Sequence, residues 1–204
     1  MKLLIATHNS AKVKELTDGL EPLKRQMIQT VTLADLGIDS SPEETAETFE
    51  KNAVLKARYY ARLSNLATLA DDGGLSIPVL NGEPGTKSRR WLGKDASDEE
   101  LIQFTLRRLS GLALKNRSAS LCLSLTYFNP KTQKVVSVNE DIQGYIAEKQ
   151  SIKFTKGFPY RALFIVARFK KYYDELTEKE HEIINHRLKA VRRISEFIKK
   201  DLIQ

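Results

Sequence analysis

The chain has one cysteine, Cys122, and one tryptophan, Trp91, among its 204 residues. A single thiol excludes an internal disulfide framework and offers no cysteine pair to a soft metal. That absence fits a reducing, cytoplasmic setting. Hydrophobic residues make up 41% of the chain, yet no apolar run approaches the roughly 18–20 residues a membrane-spanning helix needs. The opening MKLLIATHN has only a short apolar stretch and no small-residue cleavage signal, so it reads as mature protein. Neither GxxxxGKS/T nor GxGxxG occurs, which excludes the P-loop and the dinucleotide-binding turn. Internal repeats, low-complexity tracts and linkers are also missing. What remains is a single folded unit over 1–204, with enough apolar content for one core or for two lobes sharing a sheet.

Charge is there in excess of one sign. The formal net charge of +7 suits an anionic partner, whether nucleic acid, membrane surface or phosphorylated small molecule; a solvated lysine-rich surface produces the same total.

Hydrophobic patterning sets the order of elements. KLLIA (2–6) reads as a buried strand that stops at THNS, and Ser10 precedes a helix with Val13, Leu16 and Leu20 at helical spacing. A second strand is expected near Gln29–Leu33 and a long helix over Thr45–Leu63, with Ser41, Pro42 and Glu44 forming a capping box for it. LATLA (66–70) reads as a buried strand ending on Asp71-Asp72, and the pair Asn81-Gly82 as a hairpin turn. SDEE (97–100) and TEKE (177–180) are capping-box signatures. Residues 119–127 alternate as a half-buried strand that turns at Asn129-Pro130 toward VVSV (135–138). ALFIV (162–166) is a further strand, and Leu188, Val191, Ile194 and Ile198 mark a C-terminal helix. Early αβ units with hairpins in the middle argue for α/β with a mixed sheet.

Two places carry candidate chemistry. The strand-to-helix turn Thr7, His8, Asn9, Ser10 with Lys12 offers backbone N–H groups, hydroxyls and a point charge to a phosphate; the same residues also make an ordinary capped helix start. In ADDGGL (70–75) two adjacent carboxylates precede two glycines, which suits either a polar turn or a metal site against a phosphate.

THNSAK, EETAETFEKNAVLKAR, LADDGGL, GEPGTKSRRWLG, GFPY and NHR occur in that order between about Leu3 and Arg193. Together they resemble the inosine triphosphate pyrophosphatase (Ham1-like) family, over nearly the whole chain. The resemblance implies an elongated mixed β-sheet flanked by helices, in two lobes with a nucleotide cleft between them. It implies hydrolysis of deaminated purine nucleoside triphosphates (dITP, ITP, XTP) to monophosphate and pyrophosphate with Mg²⁺, by a homodimer. By motif, Thr7, His8, Asn9, Ser10 and Lys12 would hold the triphosphate, Glu44 and Asp72 the metal. Asp72 would activate water, with Asp71 and Lys56 as catalytic partners. Gly73 stands for the serine of the usual ADDSGL, and Ser88 and Arg90 resemble the SAR element beside the site.

The base-recognition half departs from the family. Where GGFGYDP is usual, the chain has Phe158, Pro159, Tyr160 and Arg161, so an acceptor becomes a five-donor cation. His186 and Arg187 remain from SHR, and His181 stands in the place of a lysine. Phe158, Tyr160, Arg161, His181, His186 and Arg187 are therefore the candidate base contacts, with altered base preference expected. The alternatives are a divergent member acting on another nucleotide, or a non-catalytic nucleotide- or RNA-binding protein on the same fold. For RNA, Tyr172-Tyr173 beside Lys170-Lys171 is a cluster of aromatics among basic residues.

Overall fold

A computed structural model describes residues 1–203. In chain order the elements are β1 (Lys2–Ile5), α1 (Ser10–Lys24), β2 (Gln29–Thr32), α2 (Phe49–Ser64), β3 (Ala67–Ser76), α3 (Asp98–Arg108), β4 (Ser118–Phe128), β5 (Val135–Ile146), β6 (Phe164–Val166), β7 (Lys171–Tyr172), α4 (Glu178–Ile184) and α5 (His186–Ile203). Seven strands hydrogen-bond in the order β2-β1-β3-β4-β5-β6-β7. β1 runs parallel to β2 and β3, and β6 antiparallel to β5 and β7. This is the mixed, helix-flanked α/β sheet expected.

The chain divides into two compact units. The first comprises Met1–Asp72, Leu123–Glu140 and the residues from His186 on; the second comprises Gly73–Cys122 and Asp141–Asn185. Within the first, strand alternation sorts side chains to two faces. Leu3, Ile5, Ala67 and Leu69 pack with Leu16 and Leu20 of α1 and Val191 and Ile194 of α5. Leu4, Ala6 and Ala70 pack with Ala57, Tyr60 and Ala61 of α2. α1 and α5 approach closely at Gly19, where an added Cβ would lie 3.1 Å from Val191 Cγ1. Within the second unit, Leu101, Ile102 and Leu109 of α3 share a core with Leu121, Ile142 and Phe164. Both capping boxes form, Ser97 with Glu100 and Thr177 with Glu180.

Three sequence expectations are corrected. ADDGGL is no turn: β3 runs through it to Ser76, because the strand continues on paired backbone and the reversal waits for Asn81 and Gly82, both at positive φ. The long helix begins at Phe49, not Thr45, and its cap is Thr48, whose hydroxyl accepts the Lys51 amide. Residues 41–48 stay irregular because the Asn52 side chain takes the Ala46 N–H and donates to the Ala46 carbonyl, so Glu44 is no helix cap. The strand expected over 162–166 is shortened to Phe164–Val166, since Pro159–Ala162 winds into a 3₁₀ turn.

Candidate active site

Asp71 and Asp72 are neighbours in an extended strand, so their side chains leave β3 on opposite faces. The register that sends Leu69 to the α1/α5 side sends Asp71 there too. Ala70 and Asp72 belong to the α2 side. Two carboxylates that would repel in a turn are thereby separated by the backbone, and each meets its own cations.

On the first face Asp71 is fully buried. Its Oδ2 lies 3.1 Å from Lys12 Nζ and 3.0 Å from Arg187 Nη2. Arg187 also pairs with Glu15 at 2.5 Å. Lys12 and Glu15 sit three apart on α1, hence on one helix face, while Arg187 lies at the start of α5. Burial alone would raise the Asp71 pKa, but Lys12, Arg187 and Lys56 outweigh it and hold the group well below the usual carboxylate range. Burial pushes Lys12 down, aided by Lys56 and Arg187 against the pull of Asp71. Asp71 Oδ1 is buried with no hydrogen-bond partner.

On the second face Asp72 accepts from Lys56 Nζ at 3.0 Å and from Asn52 Nδ2 at 3.2 Å. Lys56 also lies 3.3 Å from Glu44 Oε1, so Glu44 and Asp72 converge on one cation. Burial pushes the Asp72 pKa up, against Lys56 and Lys12, with Glu44 adding to the rise. Burial would lower Lys56, but Asp72, Glu44 and Asp71 together raise it. Adjacent aspartates are thus driven in opposite directions, Asp71 toward a permanent anion and Asp72 toward a proton acceptor.

At the strand-to-helix turn, Asn9 rather than Ser10 caps α1, accepting from Ala11 N at 2.9 Å and Lys12 N at 3.2 Å. These two first-turn amides are therefore capped from within, not open to a phosphate. Thr7 Oγ1 accepts the Asn9 amide at 3.2 Å. Ser10 is exposed, and so is His8, with its ring beside the Ser40 carbonyl and edge-on to Tyr60.

The other candidates fall in the second unit, except His186 and Arg187, which belong to the first. The Arg161 guanidinium is buried, 3.6 Å from the centroid of Phe158 and 4.6 Å from that of Tyr173. Tyr173 in turn meets His181 edge to face at 5.2 Å. Tyr160 is a core residue whose hydroxyl donates to the Ser88 carbonyl. Gly73 lies within β3, and Arg90 is exposed at the end of the 3₁₀ turn Gly85–Arg90. His186 is buried beside Arg187. Arg187, expected on a base, has its terminal nitrogens on Asp71 and Glu15. The Tyr172-Tyr173 pair does not form an exposed stacking platform: Tyr173 is buried, and the Tyr172 hydroxyl donates to the Lys149 carbonyl.

Sequence reasoning passed over Asn52 and Glu15. Each was signalled by spacing, since Asn52 lies one helical turn before Lys56 and Glu15 one turn after Lys12. Among the described residues, no group of three or more His, Cys, Asp or Glu side chains is placed to hold a metal ion. A divalent ion still fits the donor set: Glu44 and Asp72 converge on Lys56, and both are hard oxygen donors.

The chain is similar to known proteins along nearly its full length. The Ham1 family matches residues 3–197. A dITP/XTP pyrophosphatase of Bacillus subtilis (strain 168) is 37% identical, with 96% of each chain covered. A protein of the same name from Elusimicrobium minutum (strain Pei191) is 38% identical over 98% of this chain and 100% of its own. A solved Ham1 protein from Coxiella burnetii superposes with a TM-score of 0.83 at 31% identity, covering 98% of this chain and 99% of its own. On this match of sequence and fold together, the chain belongs to the Ham1 family.

Proposed function

We propose that the protein hydrolyses deaminated purine nucleoside triphosphates (dITP, ITP and XTP) to the monophosphate and pyrophosphate, with Mg²⁺. The observation that carries this reading is the pair Asp71 and Asp72 sent to opposite faces of β3, each with its own cations, in a chain of this family. Lys12, Lys56 and Arg187 stand against Asp71, Asp72, Glu15 and Glu44, which leaves the cluster formally one charge negative. A polyphosphate would be repelled by that balance, so a divalent cation has to arrive with it. Glu44 and Asp72 would hold the ion, and with only two protein carboxylates its remaining ligands would have to come from phosphate oxygens and water. When bound, the ion supplies charge neutralisation at the phosphates.

The residues of the chain do the remaining work. A water oxygen attacks the α-phosphorus, the bond from that phosphorus to the α–β bridging oxygen breaks, and pyrophosphate leaves with the bridging oxygen. Asp72 takes the water proton, helped by the rise in its pKa from burial. Lys56 and Asn52 fix the Asp72 carboxylate. Lys12, with Thr7, His8, Asn9 and Ser10 at the turn before it, receives the phosphates, and Asp71 holds Lys12 and Arg187 in place. Phe158, Arg161 and His181 provide the base contacts, with Tyr160 and His186 near them in sequence.

The deciding measurement is pyrophosphate release from ITP, dITP, XTP, GTP, ATP and the pyrimidine triphosphates, with Mg²⁺ and with chelator. Release from the first three, abolished by chelator, is expected. Release from pyrimidine triphosphates alone would replace this reading with that of a divergent member, which the Arg161 cation favours over a purine reader that needs an acceptor there. A homodimer in the cytoplasm completes the proposal; no helix among the described residues is long and apolar enough to cross a membrane. Sedimentation at the monomer mass of 23.2 kDa would refute the dimer.

A further inference from the structure

The 3₁₀ turn Gly85–Arg90 contributes no charge to the aspartate cluster, yet it is bonded to β3, to the Pro159–Ala162 turn and to the first residue of α3. Ser88 is buried. Its Oγ accepts the Leu75 amide at 3.1 Å and donates to the Gly85 carbonyl at 2.6 Å, so the hydroxyl is used in both senses. Its carbonyl accepts the Tyr160 hydroxyl. The next residue, Arg89, pairs with Asp98 at 2.6 Å. The other oxygen of Asp98 accepts the Gly157 amide at 2.7 Å.

The contact with β3 is tight. A Cβ at Gly74 would lie 2.0 Å from Ser88 Oγ, 2.7 Å from Ser88 Cβ and 2.9 Å from the Gly85 oxygen. The absence of a side chain at Gly74 is what lets the serine hydroxyl reach the strand backbone. Gly73 and Gly74 have no side chains to anchor, so beside its pairing in the sheet the backbone just after Asp72 is held by the bond of the Leu75 amide to Ser88. Ser88 thus grips the glycine end of β3 and Tyr160 directly, while Arg89 reaches Gly157 only through Asp98.

We propose that Ser88 is a positioning residue for the hydrolysis: it anchors the strand that carries Asp72, and shares that anchor with the segment that carries Phe158. This rests on the pyrophosphatase reading above. A carboxylate displaced by a fraction of an ångström loses its line to the water, and rate falls steeply with such misplacement.

The test compares Ser88→Ala, Ser88→Cys and Asp98→Ala in ITP hydrolysis with Mg²⁺, alongside thermal melts and hydrogen exchange at the Leu75 amide. Ser88→Ala should lower kcat by about tenfold or more, with KM changed less than about threefold, and should speed exchange at Leu75. Ser88→Cys, which keeps a weak donor and acceptor, should recover part of both. Asp98→Ala, where Ser97 still caps α3, should act on the other side of the anchor and raise KM by about threefold or more with kcat nearly kept. A kcat for Ser88→Ala equal to that of the native protein overturns the proposal. So does a loss of kcat in all three variants that merely tracks their melting temperatures. If the native protein releases no pyrophosphate from any triphosphate, the pyrophosphatase reading fails, and the Leu75 exchange rate still confirms or sinks the anchor.

Discussion

The aspartate cluster and the Arg161 stack are built from opposite materials. Around Asp71 and Asp72 three cations and four carboxylates are paired at 2.5–3.3 Å: Asp71 is shared by Lys12 and Arg187, Arg187 by Asp71 and Glu15, and Lys56 by Asp72 and Glu44. Around Arg161 a single cation lies among three aromatic rings, Phe158, Tyr173 and, beyond it, His181. A network of shared charges has few substitutes, since removing one member strands another in low dielectric. An aromatic stack tolerates exchange of its polar member, because ring faces accept a planar cation or an apolar chain of similar volume.

The sharpest way to break the contrast is Asp72→Asn. The amide keeps the volume and one acceptor for Lys56 or Asn52, but it cannot take a proton from water. A fall in kcat of about 10²–10⁴ is expected, larger than any accompanying shift of the thermal melt accounts for. Retention of more than a tenth of native turnover would remove Asp72 from its role.

Stability separates the two regions next. Asp71→Ala leaves Lys12 without its anion and Arg187 with Glu15 alone, in a buried setting. A loss of about 3–5 kcal/mol is expected in urea unfolding. Arg161→Met keeps the apolar packing and removes the cation–ring attraction and the pull of the guanidinium on Asp174, so a smaller loss, about 0.5–2 kcal/mol, is expected. Equal losses would show that the stack is as interlocked as the cluster. In activity the order reverses in kind: Arg161→Asp, which restores the family's acceptor, should shift kcat/KM toward ITP and XTP over GTP by about tenfold. Unchanged selectivity would move base recognition away from this segment.

Much of this was legible in the sequence because it rests on local rules. The capping boxes at Ser97 and Thr177, the αβ start and the order of the motifs all follow from spacing. The aspartate pair was found, but its geometry was not: two carboxylates before two glycines read locally as a turn, and only pairing with neighbouring strands keeps β3 extended through Gly74. The start of α2 failed for a related reason. Ser41-Pro42-Glu43-Glu44 has the composition of a cap, but the Asn52 side chain, from within the helix, ties down Ala46 and delays the first turn. The place of Arg187 was hidden because its partners, Glu15 and Asp71, are distant in sequence.

The finest test lies inside the cluster itself, between the two aspartates. Asp71 has its folded pKa depressed, first against burial and by virtue of Lys12 and Arg187. Between the ordinary carboxylate value of about 3.9 and that depressed value, the unfolded chain binds the proton and the folded chain does not. The stability Asp71 provides is therefore complete above about pH 4 and is lost as pH falls toward the depressed value. Asp72 has its folded pKa raised by burial, so in the window above about 3.9 the folded chain binds the extra proton, and stability declines as pH rises through it. Each contributes a slope of at most about 1.4 kcal/mol per pH unit, of opposite sign. In metal-free protein, Asp71→Asn should flatten the acid limb of the stability curve below pH 4, while Asp72→Asn should remove the decline above it. Two neighbours on one strand that gave the same change of slope would mean that they share one environment, and the separation by opposite faces of β3 would be wrong.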